Sequence, residues 1–186
     1  MEALKLSEYT VEDILSLPEG ERAELIDGVW YDMASPTPEH QGIVMAISAE
    51  LRNHIKDKGG NCKVFPAPFA VYLNEDGRNY LEPDVTVICD SEKLDEKGCH
   101  GAPDLVVEVI SPSTKSRDYG IKLFKYRNSG VREYWIINPE TRTINVYGFS
   151  SDGNEDNEKA DQFSFDKPLS SFIYPDFTMT MSEVVL

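Results

Sequence analysis

The chain has 186 residues, of which 40% are hydrophobic, and it carries 33 acidic against 18 basic side chains. This hydrophobic fraction can form the core of one domain over residues 1–186 and argues against a disordered chain. The net charge of −15 excludes a protein that binds nucleic acid over its whole surface, because phosphate binding requires basic groups. Any contact with nucleic acid would require a local basic patch or a bound cation.

Three cysteines, Cys62, Cys89 and Cys99, stand far apart and form no CxxC pair. Their number and spacing predict neither a disulfide framework nor a zinc cluster, and they indicate a reduced compartment. The chain has no apolar run of signal-peptide type at its start and no segment near the roughly 18 apolar residues of a membrane span. We therefore expect a cytoplasmic protein without membrane association.

The first third of the chain is predicted to hold a short helix, a hairpin and a long helix. Thr10 caps the short helix, Pro18 ends it, and an Asp-Gly turn closes the hairpin over residues 24–31. From residue 41 to residue 58, apolar side chains recur every four residues, which is typical of an amphipathic helix.

Strands dominate the rest of the sequence. One further helix is predicted over residues 119–128, and the acidic segment 151–161 is predicted to be a solvated loop. Helices and hairpins in this order indicate an α/β fold with a mixed sheet flanked by helices. The predicted strands cover residues 62–73, 84–89, 105–110, 133–138 and 143–147.

Glu108 is the most informative residue, because it stands within an apolar segment over residues 105–110. A strand that is apolar on both faces is predicted to be central in its sheet, where an unpaired carboxylate is costly. We therefore expect Glu108 to have a cation, a set of strong donors or a raised pKa. The alternative is a carboxylate at the strand end that points into solvent.

Asp84 follows Pro83 at the head of another apolar strand. Two carboxylates on adjacent strands repel each other unless a positive group lies between them. Because oxygen ligands with open positions suit Mg²⁺ or Mn²⁺, Asp84 and Glu108 are the predicted metal ligands. For Asp84 alone, a turn-capping role is the alternative.

Lys122 lies on the helix predicted after Glu108, four residues beyond Asp118. On a helix surface these two side chains would form an ordinary ion pair worth a few tenths of a kcal/mol. In the functional interpretation, the ammonium group reaches the metal site or a phosphate oxygen. Leu123, Phe124 and Tyr126 are expected to face the sheet.

Six segments in this order resemble the Uma family of restriction-endonuclease-like proteins, within the PD-(D/E)XK nuclease superfamily. The resemblance implies a restriction-endonuclease-like fold and a nuclease that uses Mg²⁺ or Mn²⁺ to hydrolyse phosphodiester bonds, with DNA as the expected substrate. The matching segments cover residues 18–28, 35–40, 82–85, 101–109, 111–114 and 130–135.

The resemblance also implies the catalytic residues. Asp84 and Glu108 correspond to the metal ligands, and Glu24 corresponds to an N-terminal acidic residue that often completes such sites. The superfamily usually has a lysine two residues after the glutamate, where this chain has Ile110. The resemblance to the Uma family implies that the lysine stands on the following helix, as Lys122.

Three assignments keep alternatives. Lys125, one helical turn beyond Lys122, could take or share the role of that lysine. Glu24 could be only a hairpin carboxylate, and His40, which matches a family position, could be only a structural residue at the start of a helix.

Basic residues concentrate in residues 115–132, directly after the predicted metal ligand. We expect DNA to bind this patch, although a solvated helix face would have the same composition. A non-catalytic interaction protein that keeps the fold, as a homodimer or a subunit of a complex, is an alternative that the acidity favours. A hydrolase of small phosphoesters is another. The patch consists of Lys115, Arg117, Lys122, Lys125, Arg127 and Arg132.

Overall fold

The computed structural model describes residues 8–112, 114–150 and 157–183. The strands are β1 (Ala23–Ile26), β2 (Val29–Asp32), β3 (Lys63–Pro66), β4 (Val71–Tyr72), β5 (Val85–Ile88), β6 (Cys99–His100), β7 (Leu105–Val109), β8 (Glu133–Asn138), β9 (Thr143–Gly148), β10 (Lys159–Ser164), β11 (Leu169–Ser170) and β12 (Thr178–Met179). The helices are α1 (Val11–Leu15), α2 (Pro38–Asp57), α3 (Lys115–Arg117) and α4 (Leu123–Ser129), with a π-helix over Asp118–Lys122 and 3₁₀ turns at Ser91–Lys93 and Met181–Glu183.

A six-stranded mixed sheet forms the centre of the fold, in the order β10-β9-β8-β7-β5-β3. β7 and β8 run parallel, and the other neighbouring strands of this sheet are antiparallel. Since β7 and β8 are parallel, a crossover must connect them, and α3, the π-helix and α4 form this crossover. The predicted α/β fold with a mixed sheet flanked by helices is confirmed.

The two faces of the sheet have separate cores. On one face, Ile43, Ile47 and Leu51 of α2 pack against Val107 of β7 and Trp135 of β8. This packing follows from the four-residue spacing of the apolar side chains in α2.

On the opposite face, Val106 and Ile110 pack with Tyr126 of α4 and Tyr134 of β8. Side chains alternate along a strand, so Glu108 lies between Val106 and Ile110 on this second face. The sheet therefore presents Glu108 to the crossover helices.

Helix boundaries differ from the prediction in two places. α2 begins at Pro38 rather than at residue 41, because Thr37 caps it by accepting a hydrogen bond from the His40 backbone N–H (3.2 Å). The predicted helix over residues 119–128 is longer and is interrupted by the π-helix. It ends at Gly130, whose φ of 96° is the left-handed conformation that favours glycine.

Two further expectations require correction. Phe124 does not face the sheet but is 67% exposed, because it stands two residues from each of the buried Lys122 and Tyr126 and therefore lies on the opposite side of the helix. Strand β10 begins at Lys159, within the predicted acidic loop, because its backbone pairs with β9. Its first four side chains are exposed, so a polar sequence is compatible with a strand at this edge of the sheet. The part of that loop over residues 151–156 lies outside the described residues.

The cysteine prediction is wrong, because Cys62 and Cys89 form a disulfide. Cys62 precedes β3 and Cys89 follows β5, and these antiparallel strands pair Lys63 with Ile88. Strand pairing thus brings together two cysteines that are 27 residues apart. The third cysteine, Cys99, is a buried free thiol.

In the described part of the chain, no helix is both long enough and apolar enough to span a membrane. A cytoplasmic location stays a prediction.

Candidate active site

Asp84 and Glu108 lie side by side at the ends of neighbouring strands. β5 and β7 are antiparallel, and Val85 pairs with Val107. Asp84, one residue before β5, therefore stands beside Glu108, and its Oδ2 accepts a hydrogen bond from the Val109 backbone N–H (2.7 Å). Strand register thus brings together the two residues that the sequence predicted as metal ligands.

Lys122 reaches this pair from the crossover. Its Nζ donates hydrogen bonds to Glu108 Oε1 and to Glu24 Oε1, each at 2.8 Å. Asp118 Oδ1 is a third carboxylate oxygen, 3.7 Å from the same Nζ. Lys122 is only 2% exposed, so the Asp118–Lys122 pair lies in the interior and not on a helix surface.

Asp118 and Lys122 of the π-helix both point inward, because side chains four residues apart lie on the same side of a helix. Ile121, next to Lys122, is 46% exposed. Tyr134 Oη donates to the backbone oxygen of Asp118 (3.2 Å) and so satisfies a carbonyl group within this turn.

Burial and neighbouring charge perturb the whole cluster. Burial raises the pKa of Glu108 well above its ordinary value, against the opposing effect of Lys122, and Asp118 and Glu24 raise it further. Burial likewise raises the pKa of Asp118. Burial alone would lower the pKa of Lys122, but Glu108 and Glu24 raise it above its ordinary value. Lys122 is therefore an ammonium group, and burial favours the protonated forms of Glu108 and Asp118.

A cavity of about 570 Å³ opens beside these side chains. All four predicted site residues line it, namely Asp84, Glu108, Lys122 and Glu24. Lys125, the alternative lysine, is not among its lining residues and pairs instead with Asp27. Of the two candidate lysines, Lys122 lines the cavity and Lys125 does not, and the role of Lys122 in the site stays a prediction.

His40 also lines the cavity, and its Nε2 lies 3.2 Å from Asp84 Oδ2. Burial alone would lower the pKa of His40, but the hydrogen bond with Asp84 and the charge of that carboxylate raise it above its ordinary value. The cap at Thr37 fixes the first turn of α2 and so positions this ring. The Thr37-Pro38 sequence, a typical helix start, was the signal for this placement.

Tyr126 is a site residue that sequence reasoning missed. The ring is fully buried, and its hydroxyl donates to Glu108 Oε1 at 2.9 Å. Burial and the charge of Glu108 raise the pKa of this phenol well above its ordinary value, so it remains a donor. Its position four residues after Lys122 on one helix was the signal that could have identified it.

Each predicted metal ligand has one oxygen held by the protein. Glu108 Oε1 accepts bonds from Lys122 and Tyr126, and Asp84 Oδ2 contacts Val109 and His40. Among the described residues, no protein group donates a hydrogen bond to Glu108 Oε2 or Asp84 Oδ1. These two atoms are hard oxygen donors of the kind that Mg²⁺ and Mn²⁺ prefer. Within residues 8–112, 114–150 and 157–183, no three His, Cys, Asp or Glu side chains form a ready metal-binding group.

Most of the predicted basic patch is paired with acidic side chains. Lys125 contacts Asp27, Arg127 contacts Glu158 (2.7 Å), and Arg132 contacts Asp104 (3.1 Å). Lys122 is buried, and Lys115 and Arg117 line the cavity. DNA binding by the patch stays a prediction, and Lys115, Arg117 and Lys122 are the patch residues that line the cavity.

The comparisons with other proteins agree with this fold. The sequence profile of the Uma2 family, described as "Putative restriction endonuclease", matches residues 11–182. An uncharacterized protein of Synechocystis sp. is 31% identical over 135 residues, which are 72% of this chain and 70% of that protein. A crystal structure described as that of "a putative nuclease belonging to DUF820" from Anabaena variabilis superposes with a TM-score of 0.73 at 19% identity, over 94% of this chain and 96% of that one.

Proposed function

The chain belongs to the Uma2 family, and we propose that it is a nuclease that uses a divalent metal ion to hydrolyse phosphodiester bonds in DNA. Membership confirms the resemblance noted in the sequence, and the fold is nuclease-like. The observation that carries the proposal is the convergence of Asp84, Glu108, Lys122 and Glu24 on one cavity of about 570 Å³.

Asp84 and Glu108 are the proposed ligands of Mg²⁺ or Mn²⁺. The residues fit such an ion on two observations: each carboxylate keeps one oxygen without a hydrogen-bond donor among the described residues, and both side chains line the same cavity. A set of two carboxylates suits Mg²⁺, which retains several of its waters. When bound, a divalent ion supplies Lewis acidity that promotes ionisation of water and neutralises charge on the phosphate.

Lys122 supplies positive charge to the reaction rather than accepting a proton. Its raised pKa keeps the side chain as an ammonium group, which donates hydrogen bonds and cannot act as a general base. We assign it to the phosphate charge that develops during hydrolysis, where a fixed donor in a water-poor site is most effective.

Glu24 positions Lys122. Its Oε1 accepts the 2.8 Å bond from Lys122 and a 3.2 Å bond from the Glu82 backbone N–H, and the residue is almost fully buried. The hairpin β1–β2 thereby joins the crossover helix to the chain segment before Asp84. We therefore assign Glu24 a positioning role, in which its carboxylate holds the Lys122 ammonium group in place.

Cleavage assays with purified protein test the proposal. The wild type should cleave supercoiled plasmid or single-stranded DNA with Mg²⁺ or Mn²⁺ and should lose activity in a chelator. Asp84→Asn and Glu108→Gln should abolish cleavage, because each removes a charged ligand. Lys58→Met is the matched control, since Lys58 pairs with Asp176 at the surface away from the cavity.

The alternatives predict other outcomes. A non-catalytic interaction protein would bind no divalent ion and would show no cleavage under any of these conditions. A hydrolase of small phosphoesters would act on nitrophenyl phosphates or mononucleotides and leave DNA intact. Either result would contradict the nuclease proposal.

A further inference from the structure

Arg117 is a cation in the cavity wall whose donors are not used. Its side chain is 15% exposed, it lines the same cavity as Glu108, and its Nε is buried with no hydrogen-bond partner. A guanidinium group carries five N–H donors. In the described part of the chain, this group makes no hydrogen bond, and its contact with a carboxylate, Glu24 Oε2, is long at 3.9 Å.

Three other arginines of the fold donate hydrogen bonds to carboxylates. Arg22 donates two hydrogen bonds to Glu82, Arg127 donates one to Glu158, and Arg132 donates one to Asp104. A largely buried charge without hydrogen bonds is unfavourable, and native proteins rarely keep one without a reason. The reason that the geometry suggests is an anionic ligand that supplies the missing acceptors.

The group is also held in place without consuming its donors. The Cζ of Arg117 lies 4.8 Å from the centre of the Tyr31 ring, which is a cation–π contact. Such a contact restrains the position of the guanidinium group and uses none of its N–H donors.

We propose that Arg117 binds a phosphate group of the nucleic-acid strand that occupies the cavity. The inference rests on the proposed nuclease function and adds a residue that contacts the substrate backbone. Two N–H groups of a guanidinium match two oxygens of one phosphate, which is why arginine is favoured for this contact.

Glu24 relates this phosphate site to Lys122. One oxygen of Glu24 accepts a bond from Lys122 at 2.8 Å, and the other lies 3.9 Å from Arg117. The two cations thus flank one carboxylate, and Lys115, on the same helix as Arg117, lines the cavity as well. A strand held by Arg117 would pass beside the ammonium group of Lys122.

Binding measured without metal tests this inference separately from catalysis. The probe is a fluorescein-labelled DNA of about 12 nucleotides, titrated in chelator and followed by anisotropy. Arg117→Met should weaken binding on the order of tenfold, because a charge-assisted contact is lost. It should also reduce the slope of log affinity against log salt by about one unit. Arg117→Lys, which keeps the charge without the planar fork, should bind with intermediate affinity.

Arg52→Met is the matched control, because Arg52 is exposed on α2 and does not line the cavity, while the change in net charge is the same. The control should bind as the wild type does. Equal affinity of wild type, Arg117→Met and Arg117→Lys would overturn the inference, as would a wild type that does not bind the probe. Arg117-dependent binding without any cleavage would instead support the phosphate site and refute the nuclease proposal.

Discussion

The Nζ of Lys122 lies 2.8 Å from Glu108 Oε1, although the lysine stands on a helical segment, 14 residues beyond the glutamate in the chain. The usual superfamily position for the lysine holds Ile110, which is buried in the core between the sheet and α4. Lys122 of the π-helix therefore supplies the positive charge next to Glu108 that no residue of strand β7 provides.

Lys122→Met should destabilise the protein by about 3 kcal/mol near neutral pH, because it leaves Glu24, Glu108 and Asp118 without their shared cation. Chemical denaturation measures this change. The loss should shrink as the pH is lowered, because burial raises the pKa of Glu108 and of Asp118 and their protonated forms carry no charge that needs Lys122. The sequence alone suggests that folding is insensitive to this substitution, and the burial of Lys122 predicts the opposite.

Lys125→Met is the control for this comparison. Its partner Asp27 is well exposed, so the loss of the pair should cost less than about 1 kcal/mol. Equal effects of the two substitutions on the free energy of unfolding would contradict the buried cluster.

Glu108→Gln should change how stability depends on pH. The folded protein retains a proton on the Glu108 cluster that the unfolded chain releases above about pH 4.3, because burial raises the pKa of Glu108. The free energy of unfolding of the wild type therefore falls as pH rises from about 4.3 to the raised pKa, and is independent of this group above it.

Glutamine carries no titrating proton, so the variant should gain stability relative to the wild type as the pH is raised through that window. Urea denaturation at several pH values gives the slopes. Glu96→Gln, an exposed position, should leave the slope as it is in the wild type. Parallel slopes for the wild type and Glu108→Gln would show that Glu108 ionises normally.

Tyr126→Phe should weaken Mn²⁺ binding several-fold while costing about 1 kcal/mol of stability. The hydroxyl of Tyr126 donates to Glu108 Oε1 and so restrains the carboxylate whose Oε2 is the proposed metal donor. Tyr134→Phe removes an equally buried hydroxyl that, among the described residues, donates to the Asp118 backbone oxygen, and it should leave Mn²⁺ affinity unchanged. Calorimetric titration distinguishes the two, and equal affinities would assign Tyr126 a packing role alone.

Alkylation without reduction should leave Cys62 and Cys89 unlabelled in the native and the denatured protein. Cys62→Ser should lower the free energy of unfolding by about 3 kcal/mol, because the crosslink constrains the unfolded chain. Mass spectrometry counts the labelled thiols. Labelling of all three cysteines in the denatured, unreduced protein would show that Cys62 and Cys89 do not form a disulfide.

Periodicity predicted the sheet and the long helix because the relevant information is local. The apolar spacing in α2 and the apolar segment of β7 each identify their element without knowledge of its neighbours. The Cys62–Cys89 disulfide and the paired strand β10 were not predictable in this way, since both depend on which strands pair.

The same limit applies to the site. Asp84, Glu108, Lys122 and Glu24 could be named from the resemblance, and the structure brings them to one cavity. The helix start at Thr37-Pro38 and the spacing of Lys122 and Tyr126 gave local signals, but the contacts of Tyr126 with Glu108 and of His40 with Asp84 depend on how these helices pack against the sheet. The unused donors of Arg117 become visible only when every neighbouring acceptor is placed.

A crystal structure of the protein soaked in Mn²⁺, with anomalous scattering, tests the proposed metal site most directly. We predict one strong anomalous peak coordinated by Asp84 Oδ1 and Glu108 Oε2, with Lys122 still bonded to Glu24. A well-occupied peak ligated by other residues, or no peak in crystals soaked at saturating Mn²⁺, would contradict a metal-dependent nuclease centred on Asp84 and Glu108.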